Sequence, residues 1–313
     1  MSRSLKAHIL LVLVTLSWGA TFVSVKDALG HVSPLVFNAL RMATASLALV
    51  IIFPKELRRA DRGTVLGGVV LGFLLWAGYS FQTVGLKLTT PSKSAFITGL
   101  AVVLVPMIVA AGHGRIPNRW TMFGVLCAFA GLYLMTIPIS EAFSLRGINR
   151  GDLLTFGAAV CFAFHIFTTG RLMQKHRFEP IAVIQVVVAT ILMSATVPLE
   201  TPRAVFTGEA IFALLFTGLV CTAAAFSIQA WAQQFTPPTH TALIFVLEPV
   251  FAAITSYFLL GEHLGARGTV GALLIISGIL LSELKGSSVE PPPRPFEPRE
   301  RTGQSGDAEF SIN

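Results

Sequence analysis

Two ionisable residues stand where an apolar chain rarely puts charge. Glu248 lies in the run LIFVLEPVFAAITSYF and Arg41 in the run PLVFNALRMATASLALV. A carboxylate at mid-membrane depth costs a few kcal/mol or more unless it is paired or protonated. Glu248 is therefore a candidate for carrying a proton or touching a polar solute. A second reading is structural: Pro249 frees a carbonyl one turn earlier, and a protonated Glu248 would bridge the loosened backbone. Arg41 points to a polar pocket for a carboxylate or an anionic substrate group, or to a side chain snorkelling to a headgroup; an Arg41–Glu248 pair is one arrangement to test. Gln82 and Gln229 each follow an aromatic by three residues, Tyr79 and Phe226, so each pair shares a helix face. Around Gln229 the face extends as Thr222, Phe226, Gln229 and Gln233. A polar stripe on an apolar helix faces a partner helix or a wet cavity. Trp18 and Trp231 offer a stacking surface or an interfacial anchor. His165 is a hydrogen-bonded core residue or a proton carrier. The candidate substrate contacts are thus Trp18, Arg41, Tyr79, Gln82, His165, Thr222, Phe226, Gln229, Trp231 and Glu248.

Catalytic signatures are missing from this inventory. There is no glycine-rich phosphate loop with a lysine, no HExxH, no GxSxG and no paired-cysteine motif. Cys127, Cys161 and Cys221 all lie inside apolar runs and read as small packing residues. The expectation is a protein that is not an enzyme, with no cofactor and no bound metal.

The elements that hold these residues must cross a membrane. Of the 313 residues, 53% are hydrophobic and 12% charged, against about 25% charged in a soluble domain. That excludes an ordinary soluble enzyme, a disordered regulator and, despite the net charge of +7, a nucleic-acid binder. A membrane helix needs about 20 apolar residues, and stretches free of Asp, Glu, Lys and Arg recur at 7–25, 63–86, 94–112, 120–140, 153–170 and 180–199. The stretch 32–53 is interrupted only by Arg41. The run 210–247 divides at Pro237–Pro238, the second part continuing through Glu248 to Gly261, and 268–282 completes ten helices. The first has a basic start but no cleavage site after a short core, so it is read as a retained span rather than a signal peptide. Lys55, Arg58, Arg59 and Arg62 crowd one short connection. With the other basic loops, they place both termini on the cytoplasmic side. Residues 285–313 contain PPPRP and few apolar groups, and are expected to be a disordered cytoplasmic tail.

The chain also repeats. A shift of 147 positions lays residues 80–134 on 227–281 without a gap, matching Gln82 to Gln229, Pro91 to Pro238, Gly124 to Gly271 and Gly131 to Gly278. The unit is five helices. Because five is odd, the second copy enters the membrane upside down, the symmetry that alternating-access carriers use. The expected fold is an all-α membrane protein of ten transmembrane helices in two inverted five-helix repeats, 5–140 and 149–284.

LSWGATF at 16–22, RMA at 41–43, TTPSKSAFITGLAVVLVP at 89–106 and above all LEPVFAAITSYFLLGE at 247–262 resemble the ten-helix drug/metabolite transporters built from two EamA domains. The resemblance spans roughly residues 5–284. It implies a bacterial inner (plasma) membrane permease for small metabolites, often an exporter, with a cavity between its halves. The chain departs from that pattern at Val105–Pro106, where the first repeat lacks a Glu-Pro pair, and at CFAFHIF (161–167), where the family more often has a Trp. The expected function is secondary-active movement of a small polar metabolite (amino acid, amine, nucleoside or drug-like) by alternating access, in the efflux direction. The alternative is a facilitative channel for small solutes. The expected partners are the solute, membrane lipid and a proton as candidate coupling ion, with no nucleic acid; a homodimer is an assembly open to it.

Overall fold

A computed structural model describes residues 2–21, 25, 28–57, 60–89, 91–113, 117–137, 149–261 and 263–286. Among them there is no β-strand, only one isolated bridge between Val32 and Ala204. The helices are α1 (Arg3–Ala20), α2 (Pro34–Ile52), α3 (Arg62–Leu88), α4 (Pro91–Gly99), α5 (Ala101–His113), α6 (Arg119–Thr136), α7 (Arg150–Leu172), α8 (Phe178–Thr196), α9 (Gly208–Gly218), α10 (Ala225–Ala232), α11 (Pro238–Phe245), α12 (Glu248–Leu260) and α13 (Ala266–Leu281). Among the described residues, nine stretches are long and apolar enough to cross a membrane. The remaining span of the expected ten is α1, which starts on the basic turn Arg3–Lys6. Most of the tail expected at 285–313 lies outside the described residues, which end in a π-turn at Ser282–Gly286.

Local chemistry explains where helices start. The side chains of Ser2, Asp61, Asn118, Asn149 and Thr207 each accept a first-turn amide, satisfying donors that a helix start leaves free. The Thr64 side chain and amide hold the Asp61 carboxyl below the usual carboxylate range. This stabilisation is present above the ordinary carboxylate pKa and fades as pH falls through the lowered one. At the other end of α12, Gly261 takes a left-handed φ of 68°, a C-terminal cap favouring glycine.

Three spans differ from the continuous helices expected. The fourth is α4 and α5, broken at Leu100; the ninth is α11 and α12, broken at Val246–Leu247. A shift of 147 carries Pro91 to Pro238, Gly99 to Val246 and Ala101 to Glu248, so the two breaks are repeat-related. At the second, Pro249 stands in the first turn of α12, where its missing N–H breaks no helical bond, whereas Pro106 lies inside the continuous α5. The eighth span, α9 to α10, is interrupted by a π-turn at Leu219–Ala224. Its counterpart in the first repeat, within α3, is regular helix.

The inversion is visible in the contact between α6 and α13. A Cβ on Gly124 would lie 2.5 Å from the Gly278 carbonyl oxygen, and one on Gly278 2.6 Å from that of Gly124. Gly131 and Gly271 oppose each other in the same reciprocal way. Residue numbers rise along one helix as they fall along the other, so the two run antiparallel. The 147-residue shift exchanges Gly124 with Gly271 and Gly131 with Gly278, which maps the contact onto itself. Only a two-fold axis perpendicular to the helices does that. Small residues let backbones approach closely enough to pack by dispersion, the main attraction in lipid. The glycines of α3 serve the same end: Gly68 meets Ile184, Gly72 meets Val188 and Gly78 meets Phe162.

At the bundle end carrying the N-terminus, one carboxylate ties three spans. His8 Nδ1 lies 3.1 Å from Glu283 Oε2 and His240 Nδ1 2.8 Å from Glu283 Oε1. A carboxylate only accepts, so both imidazoles donate from Nδ1. Thr236, Thr239, His240, Thr241 and Ser282 are buried around it, whereas no described side chain in 251–258 at the opposite end of the ninth span is fully buried. Glu283→Gln keeps the shape and removes the charge. Charge-assisted bonds contribute about 1.5–3 kcal/mol, so backbone amide exchange over 236–246 is expected to rise about tenfold or more; unchanged exchange would show that this tie holds nothing.

Candidate functional site

The site begins with the π-turn. In an α-helix the Ala225 amide would take the Cys221 carbonyl; here it bonds to Thr222 and Val220 instead. The Cys221 carbonyl accepts from the Trp18 indole at 2.8 Å and from Arg41 Nη2 at 3.3 Å. One backbone oxygen thus joins the first, second and eighth spans. π-turns inside helices mark functional positions more often than chance. Thr222, in the same turn, donates to the Thr217 carbonyl five residues back at 2.8 Å and accepts from Arg41 Nε at 2.7 Å. Arg41 Nη2 also donates to Tyr79 Oη at 3.1 Å, and its guanidinium carbon lies 4.8 Å from the Tyr79 ring centroid. Gly218 permits this approach: a Cβ there would meet Thr44 at 2.9 Å and the Arg41 carbonyl at 3.1 Å.

Glu248 is the first residue of α12, directly after the break. It is half-buried, and among the described residues its carboxylate makes no hydrogen bond or ion pair. It feels the Arg41 charge without pairing to it, so the direct Arg41–Glu248 pair is not formed here. Gly19 brings α1 against this point, its Cβ position 2.8 Å from the Glu248 carbonyl. The neighbouring Trp18 packs edge-on to Phe245 at 4.9 Å and beside Phe226 at 6.1 Å. Phe226 in turn meets the edge of His165 at 5.6 Å. Trp18, Arg41, Tyr79, Thr222, Phe226 and Glu248 therefore converge.

The other candidates are placed differently. His165 is buried and its Nε2 lies 2.9 Å from Gln185 Oε1, tying α7 to α8. Gln229 donates to Gln233 at 3.1 Å and Gln233 to the Ile166 carbonyl at 2.9 Å, so that end of the stripe bonds to a partner helix. Gln82 donates to Thr98 at 3.3 Å, between α3 and α4. Trp231 lies beside Phe235 with Lys6 Nζ 5.5 Å from its ring centroid, near the bundle end and away from Arg41. Sequence reasoning missed three participants: Phe245, Gln185 and the Cys221 carbonyl. Gln185 could have been found as an amide in an apolar run; neither Phe245 nor a backbone oxygen carries any such signal.

A ten-span bundle with repeat-related broken helices beside a charged cluster is what the sequence comparisons meet. The EamA-like transporter family profile matches residues 5–137 and again 149–284. The chain belongs to the EamA-like transporter family. An uncharacterized transporter of Archaeoglobus fulgidus is 32% identical over 283 residues, covering 90% of this chain and 87% of its own. A WAT1-related protein of Arabidopsis thaliana is 25% identical over 316 residues, covering 88% and 85%. A solved crystal structure matches with a TM-score of 0.77 over 91% of this chain and 99% of its own, at 17% identity; that likeness concerns the fold. This EamA-like protein is thus a multi-pass membrane protein of a transporter family, consistent with a role outside catalysis.

Proposed function

We propose that the protein is a secondary-active carrier that exports a small polar metabolite by alternating access. Its moving halves are 5–140 and 149–284, it sits in a bacterial inner membrane, and both termini are cytoplasmic. The single observation that supports this best is the cluster of Arg41 and Glu248 beside the break in the ninth span, whose counterpart interrupts the fourth. Broken helices at mid-depth place helix ends and free backbone groups against a solute. Rocking of the halves about such breaks moves that solute between faces. A proton is the coupling ion we propose, with Glu248 its acceptor.

The test is counterflow. Proteoliposomes carrying the full chain are loaded with unlabelled candidate amino acids, amines, nucleosides or cationic drugs, and uptake of the labelled compound is followed. The expected result is saturable uptake accelerated by internal solute. Linear, unsaturable flux without acceleration would mean a channel.

A further inference from the structure

We propose that the π-turn of the eighth span is a one-residue insertion that positions Arg41 and Trp18 for transport, by handing both of them a backbone oxygen that a regular helix would keep. This rests on the carrier reading above. The local sequence gives no sign of the insertion; the packing does. Gly72 in the third span and Gly218 in the eighth are 146 positions apart. A Cβ on each would press on a main-chain carbonyl of the span packed against it, that of Gln185 for Gly72 and that of Arg41 for Gly218. The N-caps Asp61 and Thr207 keep the same interval. Past the turn the interval is 147, carrying Tyr79 to Phe226, Ser80 to Ser227 and Gln82 to Gln229. The second copy therefore has one more residue between Gly218 and Phe226 than the first has between Gly72 and Tyr79. The π-turn at Leu219–Ala224 fills that interval, and the first copy is regular helix throughout it.

The two donors are as one-sided as the insertion. Either interval maps Arg41 onto a valine, Val187 or Val188. Phe162 stands edge-on to Tyr79 at 5.4 Å much as Trp18 stands beside Phe226 at 6.1 Å, and a phenyl ring has no N–H to give. The extra residue, the indole and the guanidinium thus meet on one side of the two-fold axis and have no counterparts on the other. A carbonyl withdrawn from its helix needs donors. The two lone pairs of the Cys221 oxygen take one each, from Trp18 Nε1 at 2.8 Å and Arg41 Nη2 at 3.3 Å. A single point on the eighth span thereby holds the indole of the first and the guanidinium of the second. Without Ala223, Phe226 would stand four residues from Cys221, and its amide would reclaim the carbonyl. Trp18 would lose its acceptor, and Arg41 would keep only Thr222 and Tyr79.

Deletion of Ala223 from the full chain is the test. The third span shows that this helix packs without the extra residue, so the variant is expected to melt no lower than the unaltered chain. Its counterflow, with the amino acids, amines, nucleosides and cationic drugs named above, should fall by about tenfold to a hundredfold, the cost of misplacing a group by about 1 Å. Trp18→Phe should lower counterflow in the unaltered chain and not further in the deletion variant, because both changes remove the same bond. Normal counterflow in the folded deletion variant, or losses that multiply, would overturn the inference. A second measurement needs neither transport nor the deletion. With Cys127 and Cys161 replaced by alanine, an isotope label on the cysteine carbonyl carbon reports Cys221 alone. Its infrared stretch should rise in Trp18→Phe as a donor is lost; an unmoved band would overturn the inference as well. A moved band with no counterflow in the unaltered chain would discard the carrier and keep the turn as the anchor of the two side chains.

Discussion

Arg41→Lys is expected to lower transport by about a hundredfold or more, while leaving a folded, monodisperse protein. Lysine keeps the charge and loses the planar fork. It can reach one of Thr222, Tyr79 and the Cys221 carbonyl, where arginine bonds to all three. With two of its three anchors gone the charge is no longer held in one direction, and misplacing such a group by about 1 Å costs about a hundredfold in rate. The Cys221 carbonyl keeps its bond from Trp18, so the π-turn and the bundle are retained. Counterflow rates in proteoliposomes, set against size-exclusion profiles of the same preparations, decide it. Near-normal transport would show that the guanidinium geometry is irrelevant and that Arg41 acts only as a diffuse charge.

The second large effect is on assembly. Gly131→Val drives a branched side chain into the Gly271 carbonyl and Ile275, and Gly271→Val meets the Gly131 carbonyl, the Met135 amide and the Met135 side chain. Backbone cannot swing aside as a side chain can. Each substitution is expected to destabilise by about 3 kcal/mol or more, at or above the usual range for overpacking. Because Gly131 and Gly271 face each other across one contact, the two variants should lose similar thermal stability. Gly208→Ala is the control, since nothing lies within 4 Å of its Cβ position, and it should change little. Melting curves of the three proteins in the same detergent check this. A stable Gly131→Val would mean that α6 and α13 are not held together by this crossing.

The spans were legible because lipid demands uncharged stretches of a set length, and those stretches stand out in a chain of this composition. The inversion was legible from parity, and the glycines that mark the repeat are those that cross at its axis. The breaks at Leu100 and Val246–Leu247 were not read. In a segment apolar on every face, no periodicity exists to be interrupted, although Pro249 carried the signal for one of them. The π-turn left no trace, since LVCTAA reads as ordinary helix. Arg41 as the centre of a polar pocket was legible because a membrane-depth arginine needs acceptors, but its acceptors were not, one being a carbonyl freed by that turn. Gln229 and Gln233 illustrate the limit of a stripe. Periodicity shows that a polar face seeks company, not whether a helix or a solute provides it; here the Ile166 carbonyl does. Trp231 shows the same for aromatics, since Lys6 and Phe235 hold it near the bundle end.

Spin-label distances at the two ends of the bundle test the alternating-access account most directly. One pair bridges the halves at the N-terminal end, at Leu57 and Leu284, and the other bridges them at the opposite end, at Leu88 and Val205. All four residues are exposed, and Cys127, Cys161 and Cys221 are first replaced by alanine. Two distance populations are predicted for each pair in bilayers. Any condition that enlarges the long-distance fraction at one end should shrink it at the other by the same amount. A single fixed distance at both ends, or long distances growing at both ends together, would contradict it.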